Sequence, residues 1–137
     1  MAVDPNISNW VVLIVDDEPD NVGVAEKVLR FSGAVTYTAV DGIEGLRMLE
    51  NVTPTFILLD LSMPIMDGWT MLEKIRTNPD LRHLVVIALT AHAMHGDRER
   101  ALEAGFDWYI SKPFHIKSFL EEIKACLLKV GARASSG

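Results

Sequence analysis

The most informative stretch of the chain covers residues 56–68 and reads Phe56-Ile57-Leu58-Leu59-Asp60-Leu61-Ser62-Met63-Pro64-Ile65-Met66-Asp67-Gly68. Four apolar residues lead directly into an aspartate, which is the pattern of a buried strand with a carboxylate at its C-terminal end. A proline and an Asp-Gly pair then predict a loop. Because a buried charge is costly unless something at that place uses it, we predict that Asp60 is the functional centre of the chain.

Four other segments also read as strands, namely residues 10–15, 35–39, 84–89 and 106–110. Apolar residues at helical spacing follow each of the five strands, and these helices are predicted to begin near residues 19, 43, 68, 97 and 116. Regular alternation of strand and helix with short connections is typical of an α/β fold. We therefore predict a doubly wound parallel sheet with five strands and with helices on both faces.

The length and composition of the chain limit its functional class. A chain of 137 residues with 49% hydrophobic residues predicts one domain with a substantial core. The net charge of −6 argues against non-specific binding of nucleic acid or of an anionic membrane. The sequence shows neither a membrane-spanning apolar run nor a signal peptide, and Cys126 is its only cysteine. These features predict a soluble, cytoplasmic protein.

The two ends of the chain differ in composition from the segment between them. Residues 1–9 are polar and irregular, which predicts a flexible N-terminal arm. Residues 131–137 contain mainly glycine, alanine and serine, which predicts a disordered tail. The predicted domain therefore covers residues 10–130.

Polar residues follow four of the predicted strands, at the end of the sheet where doubly wound folds bind ligands. Strand one ends at Asp16 and Asp17, strand three at Asp60 and strand four at Thr90, and Lys112 follows strand five. Three neighbouring carboxylates repel one another and require a cation, and an all-oxygen ligand set favours Mg²⁺. With a lysine and a hydroxyl beside them, these residues predict phosphoryl transfer to a carboxylate. Each element alone is more often a cap or a turn residue, so the prediction depends on their joint occurrence.

Four motifs carry a resemblance to a known family: Val15-Asp16-Asp17, Asp60-Leu61-Ser62-Met63-Pro64 with Asp67-Gly68, Leu89-Thr90-Ala91 and Lys112-Pro113-Phe114. Together they make the chain, from about Trp10 to Leu128, resemble the receiver domain of bacterial two-component response regulators. The resemblance implies a flavodoxin-like sheet with strand order 2-1-3-4-5.

The resemblance also implies a role for each carboxylate. Asp60 would accept a phosphoryl group from a histidine kinase or a histidine phosphotransfer protein. Asp17, Asp60 and the backbone carbonyl of Ser62 would bind Mg²⁺ directly, and Asp16 would act mainly through bound water. The chain would then be a signalling domain and not an enzyme, although it would assist its own phosphorylation and dephosphorylation.

Other positions receive roles from the same resemblance. Thr90 and Lys112 would contact the phosphoryl oxygens, and the small Ala91 would leave an open path to Asp60. The peptide bond before Pro113 would be cis. Ser62 and His92 occupy variable positions that influence how fast water removes the phosphoryl group, although His92 could equally point into solvent.

Two aromatic residues of strand five receive alternative interpretations. By the resemblance, Tyr109 is a switch that turns when Thr90 moves toward the phosphoryl group, which changes the surface of helix 4, strand 5 and helix 5. The alternative is a half-buried strand residue without that role. Trp108 is interpreted either as a contact for a protein partner or as a residue that packs on the fourth or fifth helix.

Four functional classes are considered for this sequence. The leading hypothesis is a receiver with no attached output domain, which acts on a downstream protein effector and binds neither nucleic acid nor a membrane directly. One alternative is a receiver excised from a hybrid histidine kinase or a larger regulator. A phosphohydrolase with an aspartyl-phosphate intermediate usually has a second acid two residues after its nucleophile, and Ser62 stands there. A flavodoxin-like cofactor binder needs a phosphate-binding loop after strand one, where this chain has two aspartates.

Overall fold

The computed structural model describes residues 6–91, 96–112 and 116–136. Within these ranges, strands and helices alternate as the sequence predicts. The strands are β1 (Val11–Val15), β2 (Val35–Ala39), β3 (Phe56–Asp60), β4 (Val86–Thr90) and β5 (Trp108–Ser111). The helices are α1 (Pro19–Phe31), α2 (Gly42–Met48), α3 (Gly68–Thr77), α4 (Asp97–Ala104) and α5 (Ile116–Ser136).

The strands form one sheet in the order β2-β1-β3-β4-β5, and every neighbouring pair is parallel. This arrangement confirms the predicted α/β architecture and the strand order that the resemblance implied. β1, β3 and β4 occupy the middle of the sheet, and their residues are almost all buried. Continuous apolar sequence is the expected composition for strands that are covered on both faces.

Two apolar clusters cover the two faces of the sheet, because successive strand side chains point in opposite directions. Phe56 and Leu58 of β3 belong to the cluster that includes residues of α1 and α5. Ile57 and Leu59 belong to the cluster that includes residues of α3 and Ala101 of α4. Each face of β3 is therefore buried up to Asp60.

Side-chain caps fix the start of two helices close to the C-terminal ends of the strands. The Asp41 carboxylate accepts a hydrogen bond of 2.9 Å from the backbone N–H of Glu44, at the start of α2. The Asp67 carboxylate accepts one of 2.8 Å from the N–H of Thr70, at the start of α3. These bonds satisfy amides that have no partner inside the helix.

The structure corrects the predicted start of strand five, which begins at Trp108 instead of residue 106. Helix α4 ends at Ala104 and is capped by Gly105, whose φ of 114° suits glycine, and the Phe106 N–H donates back to the Ala101 carbonyl. The Asp107 carboxylate then accepts a hydrogen bond from the N–H of Val86. Because of these contacts, regular pairing between β4 and β5 begins only at Trp108.

The two chain ends also differ from their predictions. Residues 7–9 form a 3-10 helix, and Ile7 packs against the apolar cluster beside α1, so the flexible arm does not extend to residue 9. Helix α5 continues to Ser136, where the sequence predicted a disordered tail from residue 131. Alanine and arginine favour a helix that has already formed. Within the described ranges, no helix combines the length and the hydropathy needed to cross a bilayer.

Candidate functional site

Asp60 lies at the C-terminal end of β3 and is 4% exposed. The backbone N–H of Ser62 donates a hydrogen bond of 3.3 Å to its Oδ1 atom. Gly68, the first residue of α3, lies directly against the Asp60 backbone, and a Cβ atom there would clash with the Asp60 carbonyl oxygen. The two residues of the Asp-Gly pair therefore have different roles. The aspartate caps α3, and the glycine permits the close approach of α3 to β3.

Asp16 and Asp17 lie beside Asp60 because β1 pairs with β3, with Val15 opposite Leu59. One carboxylate oxygen from each of the three aspartates lies within 4.8 Å of the other two. Asp16 and Asp60 are buried, whereas Asp17 is exposed. The three carboxylates therefore lie close together at the C-terminal ends of β1 and β3, as the sequence predicts.

Lys112 extends into the same cluster. Its Nζ atom lies 3.0 Å from Asp16 Oδ2 and 3.1 Å from Asp60 Oδ1. A hydrogen bond of 2.8 Å from the Lys112 N–H to the Thr90 carbonyl fixes the backbone after β5. Burial lowers the pKa of Lys112, but the two carboxylates outweigh burial and raise it above its usual value. The lysine is therefore held in its charged form.

The charge of Asp60 is destabilised in spite of this lysine. Burial, followed by repulsion from Asp16, raises the pKa of Asp60 to about 6, and Lys112 opposes both effects. One lysine thus compensates the acidic cluster only in part. A bound cation would compensate more of the charge of the three carboxylates.

The donor atoms fit a hard divalent cation. Asp16 Oδ1 accepts a hydrogen bond of 2.9 Å from the Glu18 N–H. Asp16 Oδ2 is buried and, although it lies near Lys112, has no partner of hydrogen-bonding geometry among the described residues. Buried polar atoms are normally satisfied, so this oxygen is available to a metal or to its bound water. Carboxylate oxygens are ligands that Mg²⁺ prefers.

A cavity of about 150 Å³ lies next to the carboxylates. Its wall includes Asp60, Ser62, Thr90, Ala91 and Lys112, which the sequence assigned to one site. Ala91 is exposed at this wall. The cavity therefore gives a small group access to the Asp60 side chain.

Asp97 is a member of this site that the sequence reasoning missed. The Thr90 hydroxyl donates a hydrogen bond of 3.0 Å to Asp97 Oδ2, and both residues line the cavity. The mostly charged sequence of α4 is typical of a solvent-exposed helix, but the Asp97 side chain is only 15% exposed. An aspartate directly after Gly96 marks a helix start. Its hydrogen bond to Thr90 is a tertiary contact that the sequence pattern does not contain.

The two aromatic residues of β5 stack on each other, and each also contacts a charged residue of a helix. The rings of Trp108 and Tyr109 stack with centroids 5.4 Å apart. The Arg98 guanidinium lies 5.2 Å from the Tyr109 ring centroid, and Lys129 Nζ lies 4.5 Å from that of Trp108. Trp108 packs against the α1 and α5 side of the sheet, as the second interpretation of this residue expects. Its contact with a partner stays a prediction.

Two of the predicted site residues lie outside the described ranges. These are His92, for which we predicted an influence on the phosphoryl lifetime, and Pro113, for which we predicted a cis peptide bond. Both predictions remain open.

Comparisons with known proteins agree on one family. The model of the response regulator receiver domain matches residues 12–124. The transcriptional regulatory protein PrrA of Mycobacterium leprae is 37% identical over 134 residues, covering 98% of this chain and 57% of PrrA. This chain thus spans little more than half the length of that relative. The polar-differentiation response regulator DivK of Brucella anthropi is 36% identical over 116 residues, covering 85% of this chain and 94% of DivK.

A solved structure is similar in both sequence and fold. The receiver domain of the sensor histidine kinase PA1611 of Pseudomonas aeruginosa is 35% identical, with a TM-score of 0.77, and the match covers 86% of this chain and 97% of that one. That structure was determined with a magnesium ion coordinated in its active site cleft.

Proposed function

This chain belongs to the response regulator receiver domain family, and from that membership we propose that it accepts a phosphoryl group on Asp60. The observation that carries the proposal is the position of Lys112 Nζ, 3.1 Å from Asp60 inside a cluster of three carboxylates. A purely structural acid at the end of a buried strand has no need of two further acids beside it. The donor we propose is the phosphohistidine of a histidine kinase or of a histidine phosphotransfer protein.

In the proposed reaction, an Asp60 carboxylate oxygen attacks phosphorus. The new P–O bond forms as the P–N bond to the donor imidazole breaks, and the leaving nitrogen keeps the electron pair and takes a proton from water. Lys112 compensates the charge of the phosphoryl oxygens, and Thr90 donates a hydrogen bond to one of them. Ala91 leaves room for the entering group. Water later removes the phosphoryl group from Asp60.

Asp16, Asp17, Asp60 and the carbonyl of Ser62 are the groups that we propose to hold Mg²⁺. The ion would supply positive charge next to the phosphoryl oxygens. The buried Asp16 Oδ2, which lies 3.0 Å from Lys112 Nζ but has no hydrogen bond of good geometry among the described residues, supports this assignment, as does the magnesium in the PA1611 receiver.

We further propose that the signal leaves through the surface of α4, β5 and α5. The Tyr109 ring contacts both Arg98 of α4 and Trp108 of β5. A change at Thr90 that turns Tyr109 would therefore alter contacts on that surface. The proposed reader is a downstream protein effector, and the proposed location is the cytoplasm. The chain would act by itself or as the receiver part of a longer kinase or regulator.

The variable positions Ser62 and His92 are proposed to tune the lifetime of the phosphoryl group. Ser62 is exposed at the cavity wall, where it can contact an approaching water. Substitution of either residue by alanine should change the decay rate after the donor is removed, and an unchanged rate in both variants would contradict this role.

The central test is phosphoryl uptake. The purified chain is incubated with acetyl phosphate and Mg²⁺, and its intact mass is measured. We expect one added phosphoryl mass in wild type, none in Asp60→Asn, and none in wild type when a chelator removes Mg²⁺. Asp67→Asn serves as a matched control, because Asp67 lies on the same loop but caps α3. Absence of uptake by wild type would overturn the proposed function.

A further inference from the structure

The hydroxyl of Thr90 donates a hydrogen bond to a residue that lies outside the four motifs of the family resemblance. Thr90 Oγ1 donates to Asp97 Oδ2 at 3.0 Å, and Thr90 is 2% exposed. Asp97 also lies 3.4 Å from Arg100 in the same helix, which helps to hold its carboxylate in place. The contact joins the end of β4 to the first turn of α4.

The next residue of α4 contacts the second residue of the proposed switch. Arg98 lies over the ring of Tyr109 at 5.2 Å from the ring centroid. Adjacent residues in one helical turn therefore hold Thr90 and Tyr109. A displacement of this turn would change both contacts together.

We propose that Asp97 is a positioning residue that keeps Thr90 from the phosphoryl site until Asp60 is phosphorylated. This inference rests on the proposed function of Asp60. A hydroxyl group has one hydrogen to donate, so Thr90 cannot donate to Asp97 and to a phosphoryl oxygen at the same time. Transfer of this hydrogen bond releases the first turn of α4, and with it the contact between Arg98 and Tyr109.

The charge of the Asp97 carboxylate also weakens its contact with Thr90 once a phosphoryl group is present. Asp97 lines the same cavity as Asp60 and Lys112. A phosphoryl group in that cavity brings negative charge toward the carboxylate, which favours the separation of Asp97 from Thr90. The Asp97 contact thus stabilises the unphosphorylated conformation, and its loss raises the population of the conformation that binds the phosphoryl group.

The proposal is tested with fluoroberyllate, which occupies the position of a phosphoryl group on a carboxylate. The affinity of the 137-residue chain for fluoroberyllate is measured by fluorine NMR at fixed Mg²⁺ concentration. We expect Asp97→Ala to bind about 3- to 10-fold more tightly than wild type, since one hydrogen bond to a charged group is lost from the competing conformation. Asp97→Asn keeps an acceptor for Thr90 and should stay within about twofold of wild type.

Glu99→Ala is the matched control, because Glu99 is also an acid in the first turn of α4 but is exposed. It should leave the fluoroberyllate affinity unchanged. If Asp97→Ala does not fold, Asp97→Ser replaces it, because a serine side chain is shorter than that of aspartate and is well tolerated at a helix start.

Three results would overturn the role of Asp97. The first is an affinity of Asp97→Ala no higher than that of Glu99→Ala. The second is an equal effect of Asp97→Asn and Asp97→Ala, which would assign the effect to charge and not to the Thr90 contact. The third is weaker binding by Asp97→Ala. By contrast, wild type that binds no fluoroberyllate and takes up no phosphoryl group would refute the proposed function of Asp60.

Discussion

At the scale of single residues, Asp60 is held where its charge is unfavourable. It is buried beside Asp16, and these two causes raise its pKa to about 6 even though Lys112 is near. The Ser62 N–H and Lys112 Nζ both contact the Asp60 carboxylate in this position. The site thus keeps a destabilised carboxylate whose charge a cation or a phosphoryl transfer can use.

The raised pKa predicts a specific dependence of stability on pH. Because the folded-state pKa lies above the ordinary value of 3.8, the folded protein binds this proton more tightly than the unfolded chain does. The contribution of Asp60 to stability is therefore complete below about pH 4 and is lost as the pH rises through about 6. The loss amounts to about 3 kcal/mol at most.

The measurement is urea unfolding of wild type and Asp60→Asn with a chelator present. We expect Asp60→Asn to be more stable than wild type at pH 7.5, and the difference between the two to shrink as the pH falls to about 4. Carboxylates that do not contact Asp60 are common to both proteins and cancel in the comparison. A difference that is constant with pH would show that Asp60 is not destabilised by folding.

At the scale of secondary-structure elements, one arginine joins three segments at the end of β4 opposite to Thr90. The Arg76 side chain of α3 donates to the carbonyls of Gly105, Arg82 and Leu84 at 2.7–3.0 Å. It also donates to Asp107 Oδ2 at 2.9 Å, and Asp107 in turn accepts from the first N–H of β4. This network fixes the start of β4 and the approach to β5.

Arg76→Ala should therefore lower the free energy of unfolding by about 2 to 4 kcal/mol, because it removes three hydrogen bonds to carbonyls and the ion pair with the partly buried Asp107 carboxylate. Arg82→Ala is the control, since the Arg82 side chain is exposed and its loss should cost less than about 0.5 kcal/mol. Chemical denaturation monitored by circular dichroism gives both values. Equal stability of the two variants would contradict the role of Arg76.

Elements with a strong local pattern could be predicted from the sequence, and elements that depend on distant contacts could not. The bounds of α1, β2 and β3 agree with the sequence pattern, because apolar periodicity and Pro19 act locally. The predicted start of β5 was wrong, because the Asp107 carboxylate accepts a hydrogen bond from the N–H of Val86, which is 21 residues away in the chain.

The same distinction applies to the candidate site. Its carboxylates and Lys112 could be predicted because each follows a strand, and parallel strands end at one edge of the sheet. Asp97 could not be found in this way, because a tertiary hydrogen bond places it beside Thr90.

At the scale of the whole molecule, the acidic cluster links metal binding to global stability. The three carboxylates that approach within 4.8 Å occur as a group only in the folded chain. A ligand that binds the folded state alone stabilises it by mass action, by about 2.7 kcal/mol at a concentration 100 times its Kd. Mg²⁺ should therefore stabilise the entire domain.

We expect saturating Mg²⁺ to raise the Tm of wild type by roughly 5 to 10 °C, measured by calorimetry. Asp17→Asn should lose most of this increase, because Asp17 is an exposed member of the cluster whose oxygen a metal can reach. NaCl at matched ionic strength separates specific binding from screening. An equal increase with NaCl, or a full increase in Asp17→Asn, would contradict a metal site here.

The contacts of Arg76 lie at one end of β4, and those of Thr90 lie at the other. In evolutionary terms, this distance allows different residues to be selected for persistence of the fold and for recognition. Substitutions near α4 would change the proposed signalling surface without removing the contacts that hold the start of β4 in place. The two ends of β4 can therefore accumulate substitutions independently of each other.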